Sequence, residues 1–181
     1  MSMANASKNK GKSFERELAQ HLTTVFGENC QRVPNSGAFT GGFNFHRAAT
    51  MTAEQQLLAA GDLIVPKSLD LFTFECKWYK EIGWHKLMQG NEILVDSWIS
   101  QARESIRGKR DGKGIWFLVF KVNRQGTFVV YDQQHLTTIF SEYAVRSCDC
   151  RCFYKGVAIE SMDGFFEANK ASMLTYNASN L

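Results

Sequence analysis

The chain has 181 residues, a length that suits one compact domain and is short for two. Apolar residues make up 44% and charged residues 22%, which excludes wholesale disorder, a fibrous repeat and a disulfide-stapled miniprotein. Twenty-one Lys plus Arg against eighteen Asp plus Glu leaves only +3, so where the charge sits matters more than its sum.

Met1–Lys12 is polar and basic with no apolar signal core, and nothing there suggests export. The longest strictly apolar stretch, Ile115–Phe120, falls far short of the roughly 20 residues that cross a bilayer. A cytoplasmic protein without membrane contact is expected. Five cysteines, three of them crowded as Cys148, Cys150 and Cys152, match no disulfide framework and read as free thiols. Their alternate spacing differs from a zinc knuckle, so buried small hydrophobes are the expected reading over a zinc site.

In chain order, Phe14, Leu18, Leu22 and Val25 or Phe26 recur at helical spacing and predict a helix over Ser7–Phe26, stopped by Gly27. Arg32–Gly42 is rich in glycine and small polar residues and reads as a loop. Thr52–Ala60 suits a short helix. Leu63–Val65 and Leu71–Tyr79 read as strands joined by a four-residue loop after Pro66, an antiparallel hairpin. Within the second strand, Phe72, Phe74, Cys76 and Trp78 share one face, and Glu75 and Lys77 share the other. Glu92–Arg107 carries an apolar stripe ended by Gly108 and predicts a second helix. Ile115–Val122 is a continuous apolar strand, expected to be covered on both faces. A turn at Asn123–Gly126 leads into a strand over Thr127–Tyr131. A helix over Gln133–Tyr143, a strand over Cys150–Ile159 and a short terminal helix complete the expected elements.

The chemistry concentrates on the first hairpin. If Pro66 faces Leu71, the register sets Asp62 directly opposite Glu75, at a separation where two carboxylates can grip one hard divalent cation. Lys77 then points beside that ion. Two acids, an amine and an open metal position suit phosphodiester hydrolysis, in which a metal binds a phosphate oxygen and lowers the pKa of a bound water. Glu15, one turn from Lys12 and near Arg16, offers a third acid. Taken singly, Asp62 reads as a turn residue and Glu75 and Lys77 as solvated residues of an outer strand face; the combination points to a site.

Glu15 on a helix, then Gly61-Asp62, then Glu75-Cys76-Lys77 on an aromatic-rich strand resembles the PD-(D/E)XK nuclease superfamily. Lys10-Gly11-Lys12-Ser13-Phe14-Glu15-Arg16-Glu17-Leu18, followed by Arg32-Val33-Pro34-Asn35-Ser36-Gly37, is similar to the opening of the archaeal-type Holliday junction resolvases. The resemblance spans Lys8–Tyr131. It departs at Gly61, which stands in place of the motif's proline, at a long Ala38–Ala60 insertion, and in a tail from Asp132 onward that has no counterpart.

The resemblance implies an α/β fold with a restriction-endonuclease-like core, a central mixed sheet flanked by helices over residues 1–131; the tail, 132–181, is expected to form a small C-terminal α+β extension packed on the same domain. It further implies Glu15, Asp62 and Glu75 around Mg2+, with Mn2+ able to substitute, Lys77 as the catalytic lysine, and Arg32 with Ser36 in a catalytic or DNA-contacting loop. Gln101 falls where related nucleases place a polar residue near the site. A homodimer cutting branched double-stranded DNA, a Holliday junction resolvase without an organic cofactor, is the leading expectation. The alternatives are a nuclease of linear, flap or sequence-specific duplex DNA, and a catalytically silent DNA-binding module.

For the DNA surface, Lys8, Lys10, Lys12 and Arg16 cluster on the first helix. Arg103, Arg107, Lys109 and Arg110, with Lys113, face only Glu104 and Asp111 at the end of the second, so a helix face lying along phosphates is expected there. Phe39, Phe43 and Phe45 in the glycine-rich segment suit base stacking or core packing equally. No histidine has a partner at telling spacing.

Overall fold

The computed structural model describes residues 3–34, 61–106, 112–135, 139 and 151–180, with side chains of the first helix described from Asn9 onward. Helix α1 spans Met3–Phe26, four residues longer at its start than the apolar stripe predicts. Phe14, Leu18, Leu22 and Phe26, one per turn, are all buried. Gly27, at φ +77°, closes the helix by donating its N–H to the Thr23 carbonyl at 2.9 Å, a left-handed stop that glycine takes without steric cost.

A five-stranded mixed sheet forms the centre, in the order β3 (Phe72–Tyr79), β4 (Ile115–Val122), β5 (Gly126–Asp132), β7 (Val157–Ser161), β6 (Cys152–Tyr154). β3 and β4 run parallel; the other neighbours are antiparallel. The parallel pair needs a crossover, supplied by α2 (Trp84–Met88) and α3 (Ile93–Ser105). Helix α4, Phe165–Asn180, ends the chain.

The sheet is covered on both faces, which explains the unbroken apolar run of β4. Ile115, Phe117 and Val119 join α1 and α4 in one core with Phe14, Leu18, Phe74, Phe166 and Met173. Trp116, Leu118, Phe120 and Val122 point the other way and meet Val95, Trp98, Ile99 and Ala102 of α3. Each such fully buried large side chain contributes roughly 1.5–3 kcal/mol.

Three expectations are corrected. The hairpin from Leu63–Val65 into Leu71–Tyr79 does not form a ladder. Instead β2 (Leu63–Ile64) pairs antiparallel with β1 (Gln31–Arg32), in the register Gln31↔Ile64 and Arg32↔Leu63, and the connector to β3 winds as a 3-10 turn over Lys67–Leu69. Leu69 is fully buried there, so the apolar side chain pulls the connector onto the core where a hairpin loop would leave it in solvent. The single strand expected over Cys150–Ile159 is a hairpin, β6 to β7, turned at Lys155 (φ +46°) and Gly156 (φ +81°); two successive positive φ values match the tight turns whose twist suits paired strands. The terminal helix is 16 residues long. The elements expected over Thr52–Ala60 and most of Gln133–Tyr143 lie outside the described residues.

The residues beyond 132 continue the same sheet, since β7 pairs with β5. They also hold the connector to β3: the Asn177 side chain accepts from the Leu71 N–H and donates to the Lys67 carbonyl, both at 3.0 Å.

Candidate active site at the edge of the sheet

β3 is an edge strand, and its free side receives Asp62. Gly61 has φ +78°, and a Cβ there would lie 2.6 Å from Thr73 Cγ2 and 2.8 Å from the Phe74 carbonyl oxygen. Proline, locked near φ −65°, cannot adopt this backbone, which accounts for glycine where the motif has proline. The close passage lets the Asp62 N–H reach the Phe74 carbonyl at 2.8 Å. Asp62 is thus docked on β3 by one backbone bond, without the full ladder expected of a hairpin.

The Asp62 carboxylate is fixed next: its Oδ2 accepts the Cys76 N–H at 2.8 Å. Its carbonyl accepts from the Val33 N–H at 2.9 Å, tying it to the strand that carries Arg32. Glu75, 4% exposed, lies beside Asp62, itself 9% exposed. Glu75 Oε2 accepts from Gln101 Nε2 at 2.9 Å, and Lys77 Nζ stands 3.6 Å from the same oxygen. Neither acid is the solvated residue that its position, read alone, suggests.

The electrostatics follow from this crowding. Burial, then the neighbouring Asp62 charge, pushes the Glu75 carboxyl up to about 8 against the opposing pull of Lys77. Burial, followed by the charges of Asp62, Glu15 and Glu75, raises the Cys76 thiol as well. A thiol on the opposite face of the strand therefore senses three acids at once. Two carboxylates held together in a dry edge cannot both ionise without a counter-charge. The oxygen donors of Asp62 and Glu75 fit a hard divalent cation, which takes one or two carboxylates and leaves its other positions to water and phosphate.

Glu15 projects from α1 with 9% exposure, and Arg32 Nε donates to its Oε2. Among the described residues no group of three or more His, Cys, Asp or Glu side chains converges closely enough to hold a metal. The Asp62–Glu75 pair is the convergent element, and Glu15 stands at its border bound to arginine.

The expected basic residues fall into different settings. Lys10 and Arg16 are exposed and Lys12 is half-buried along α1, with Lys10 Nζ 5.8 Å from the Trp78 ring centroid. Arg103 is exposed but tethered to the surface of the sheet: it donates to Asp132 Oδ1 at 2.5 and 3.2 Å and lies over the Trp116 ring, while Trp116 Nε1 donates to the other Asp132 oxygen at 2.8 Å. Its guanidinium ties α3 to β5. Ser36, Arg107, Lys109, Arg110 and the Lys8 side chain lie outside the described residues, as do Phe39, Phe43, Phe45, Cys148 and Cys150. Cys30 and Cys76 are buried free thiols, and Cys152 is half-buried and free.

Two contributors escaped sequence reasoning. The Cys76 backbone N–H, which orients Asp62, carries no side-chain signal. Asp132 sits at a strand end, with nothing in its neighbours to mark it as the partner of Arg103.

A protein-family model described as "phage putative PDDEXK endonuclease" matches residues 6–175. The match includes the tail beyond Asp132. No curated protein and no solved structure matches the chain. Among the described residues no helix is long and apolar enough to cross a membrane.

Proposed function

We propose, from the premise that this chain belongs to the phage PDDEXK endonuclease family, that it is a metal-dependent endonuclease of branched double-stranded DNA with four-way junctions as the leading substrate. The family makes it a nuclease. Supporting the metal-dependent reading is one observation above others: Asp62 is clamped by the Cys76 N–H at 2.8 Å beside a buried Glu75 that has Lys77 3.6 Å away.

Asp62 and Glu75 would hold a divalent cation, with Mg2+ the proposed ion and Mn2+ able to substitute. When bound, the cation supplies the positive charge that makes a water acidic and offsets the charge growing on the phosphate. The Cys76 N–H keeps Asp62 from turning away, and the Gln101 amide holds Glu75 from the other side. Lys77 is placed to hold the attacking water or a phosphoryl oxygen, an electrostatic contribution that is large in a site shielded from water. Attack in line with the leaving 3′ oxygen would leave a 5′ phosphate and a 3′ hydroxyl. Lys10, Lys12 and Arg16 on α1 provide phosphate contacts that position without reading sequence. Residues 1–131 would carry the nuclease core, and 132–181 an extension that continues its sheet through β7 and braces the connector to β3 through the Asn177 bonds to Leu71 and Lys67.

Junction preference rests on the likeness of Lys10–Leu18 and Arg32–Gly37 to the junction resolvases, and with it comes a homodimer that cuts opposed strands. Incubation with end-labelled four-way, flap and linear duplex DNA in Mg2+ and in Mn2+ tests it. Preferential junction cleavage is expected. Equal or better cutting of linear duplex replaces the resolvase reading by a general endonuclease, and junction binding without cutting in either metal indicates a silent binding module. Sedimentation of the free protein tests the dimer.

A further inference from the structure

The Arg32–Glu15 ion pair lies between two elements that cannot move apart easily. Arg32 sits on β1 opposite Leu63, the residue after Asp62, and the next residue on its strand, Val33, donates its N–H to the Asp62 carbonyl. Glu15 follows Phe14, 1% exposed, and precedes Leu18, 1% exposed, on the buried stripe of α1. Both side chains are nearly dry, at 16% and 12% exposure, so taking away either partner strands the other's charge at a cost that a surface salt bridge does not carry.

Arg32 donates to Glu15 through Nε, and among the described residues this is the hydrogen bond its guanidinium makes. The Nη donors, which together match two oxygens of a phosphate, meet no acceptor among the described residues. Meanwhile Glu15, whose charge reaches Cys76 together with those of Asp62 and Glu75, is engaged by Arg32 and forms no three-ligand group with them. Among the described residues, the carboxylates of Glu15, Asp62 and Glu75 thus share the edge with the cations of Lys77 and Arg32. Whatever draws Arg32 away increases the negative charge available to a metal.

We infer that Arg32 withholds Glu15 from the cation site in the free protein, and that a backbone phosphate of bound DNA takes over the guanidinium and releases Glu15 to complete the site. Arg32 is then a positioning residue that makes cation affinity depend on DNA; by linkage, the cation strengthens DNA binding by the same factor. The ordinary range of such couplings, about 5- to 150-fold, is enough to leave the free protein poorly loaded at metal concentrations that saturate the complex. This inference rests on the nuclease reading above and adds a regulated order to it, DNA first and full metal coordination second.

The test uses the full chain and two titrations that do not depend on cleavage: Mn2+ binding to the free protein by electron paramagnetic resonance, and metal-free binding of a labelled DNA duplex by fluorescence anisotropy. Arg32→Gln is expected to bind Mn2+ about tenfold more tightly than the unaltered protein, and to bind DNA more weakly in chelator. The double variant Arg32→Gln with Glu15→Gln should lose the gain in Mn2+ affinity, because Glu15 is its source. Arg32→Lys, which keeps the charge with a different donor geometry, should fall between, and carries the test if circular dichroism shows Arg32→Gln unfolded. Mn2+ affinity that is unchanged or weaker in the folded Arg32 variants overturns the inference while leaving the nuclease reading intact. A gain that survives removal of Glu15 overturns it also. No Mn2+ binding by the unaltered protein, together with no cutting of any DNA, removes the nuclease reading and the inference with it.

Discussion

At the β3 edge, Glu75 is buried against Asp62 with Lys77 3.6 Å from its Oε2. Three strands across the same sheet, on β7, Glu160 is buried even more deeply, with 2% exposure. Its Oε1 receives Arg151 Nε at 2.8 Å and the Tyr131 hydroxyl. Both regions take a carboxylate out of water, a step that costs several kcal/mol unless the charge is met. Glu160 is met by a permanent guanidinium and a phenol that burial, and then the Glu160 bond, keep protonated. Glu75 is met first by another acid. Around Glu160 the charge is met through Oε1, although Oε2 is buried without a hydrogen-bond partner among the described residues; around Glu75 there is an unmet demand for a cation that a metal can fill. Burial alone therefore does not mark a site, whereas burial beside a like charge does.

The largest expected effects break the open site. Glu75→Gln and Lys77→Ala should each abolish cleavage, a loss of at least about 100-fold by the scale of single electrostatic or acid–base contributions, while DNA affinity stays within a few-fold. Single-turnover cleavage and anisotropy check this, and full activity in either variant would remove the assigned roles.

Next comes the Glu160 region. Arg151→Met should leave Glu160 buried and unpaired and lower stability by about 3–5 kcal/mol, with Mn2+ affinity unchanged in the folded fraction. Urea denaturation measures the first and metal titration the second. A matching loss of metal affinity would mean the two regions are not independent.

A third prediction uses the pH dependence of Glu75. The Glu75 carboxyl is raised in the folded protein, from an ordinary 4.5 to about 8, chiefly by burial. A raised carboxyl binds more protons folded than unfolded, so its favourable contribution is complete below pH 4.5 and declines as pH climbs to about 8. Metal-free protein should lose stability across that window, by at most about 1.4 kcal/mol per pH unit for one proton. Glu75→Gln should flatten the slope, and Mn2+ affinity should rise over the same range. Denaturation at fixed pH steps checks the sign; a stability that grows with pH through the window would contradict it.

Gly61→Ala sharpens the comparison without touching a charged group. The left-handed backbone costs a residue with a Cβ roughly 1–2 kcal/mol, and the added carbon meets the Phe74 carbonyl. The expected result is a modest loss of stability with a larger loss of metal affinity, since Asp62 is the residue displaced. Smallest of all, Arg103→Ala should cost under about 1 kcal/mol, because its pair with Asp132 is 45% exposed on the arginine side. It should change the salt slope of DNA binding by less than about one unit, whereas Lys10→Ala and Arg16→Ala together should flatten that slope by more. A steep change with Arg103→Ala would place the DNA across α3.

The helices α1 and α3, the apolar strand β4 and the β4–β5 turn were legible because each announces itself by local periodicity or turn chemistry. So was the spaced set of Asp62, Glu75, Lys77 and Gln101 that gathers at the candidate site, with Glu15 at its border. The pairing of β2 was not, since a two-residue strand with a buried Leu63 satisfies a hairpin with β3 and a bridge to β1 equally well on pattern alone. The β6–β7 turn at Lys155-Gly156 was hidden because an alternating run continues through it.

From the order of residues alone follow helices α1 and α3, the run of strands β3 to β5, the two-faced burial of β4 and the types of group offered at the candidate site, all of which depend on neighbours within a few positions. Tertiary structure decided which groups meet: Asp62 on the Cys76 N–H, Arg32 on Glu15, Arg103 on Asp132, and α4 on the connector into β3. Those contacts join residues 14 to 110 positions apart. They depend on how the packed layers bring distant backbones together, and short-range propensity carries no record of that.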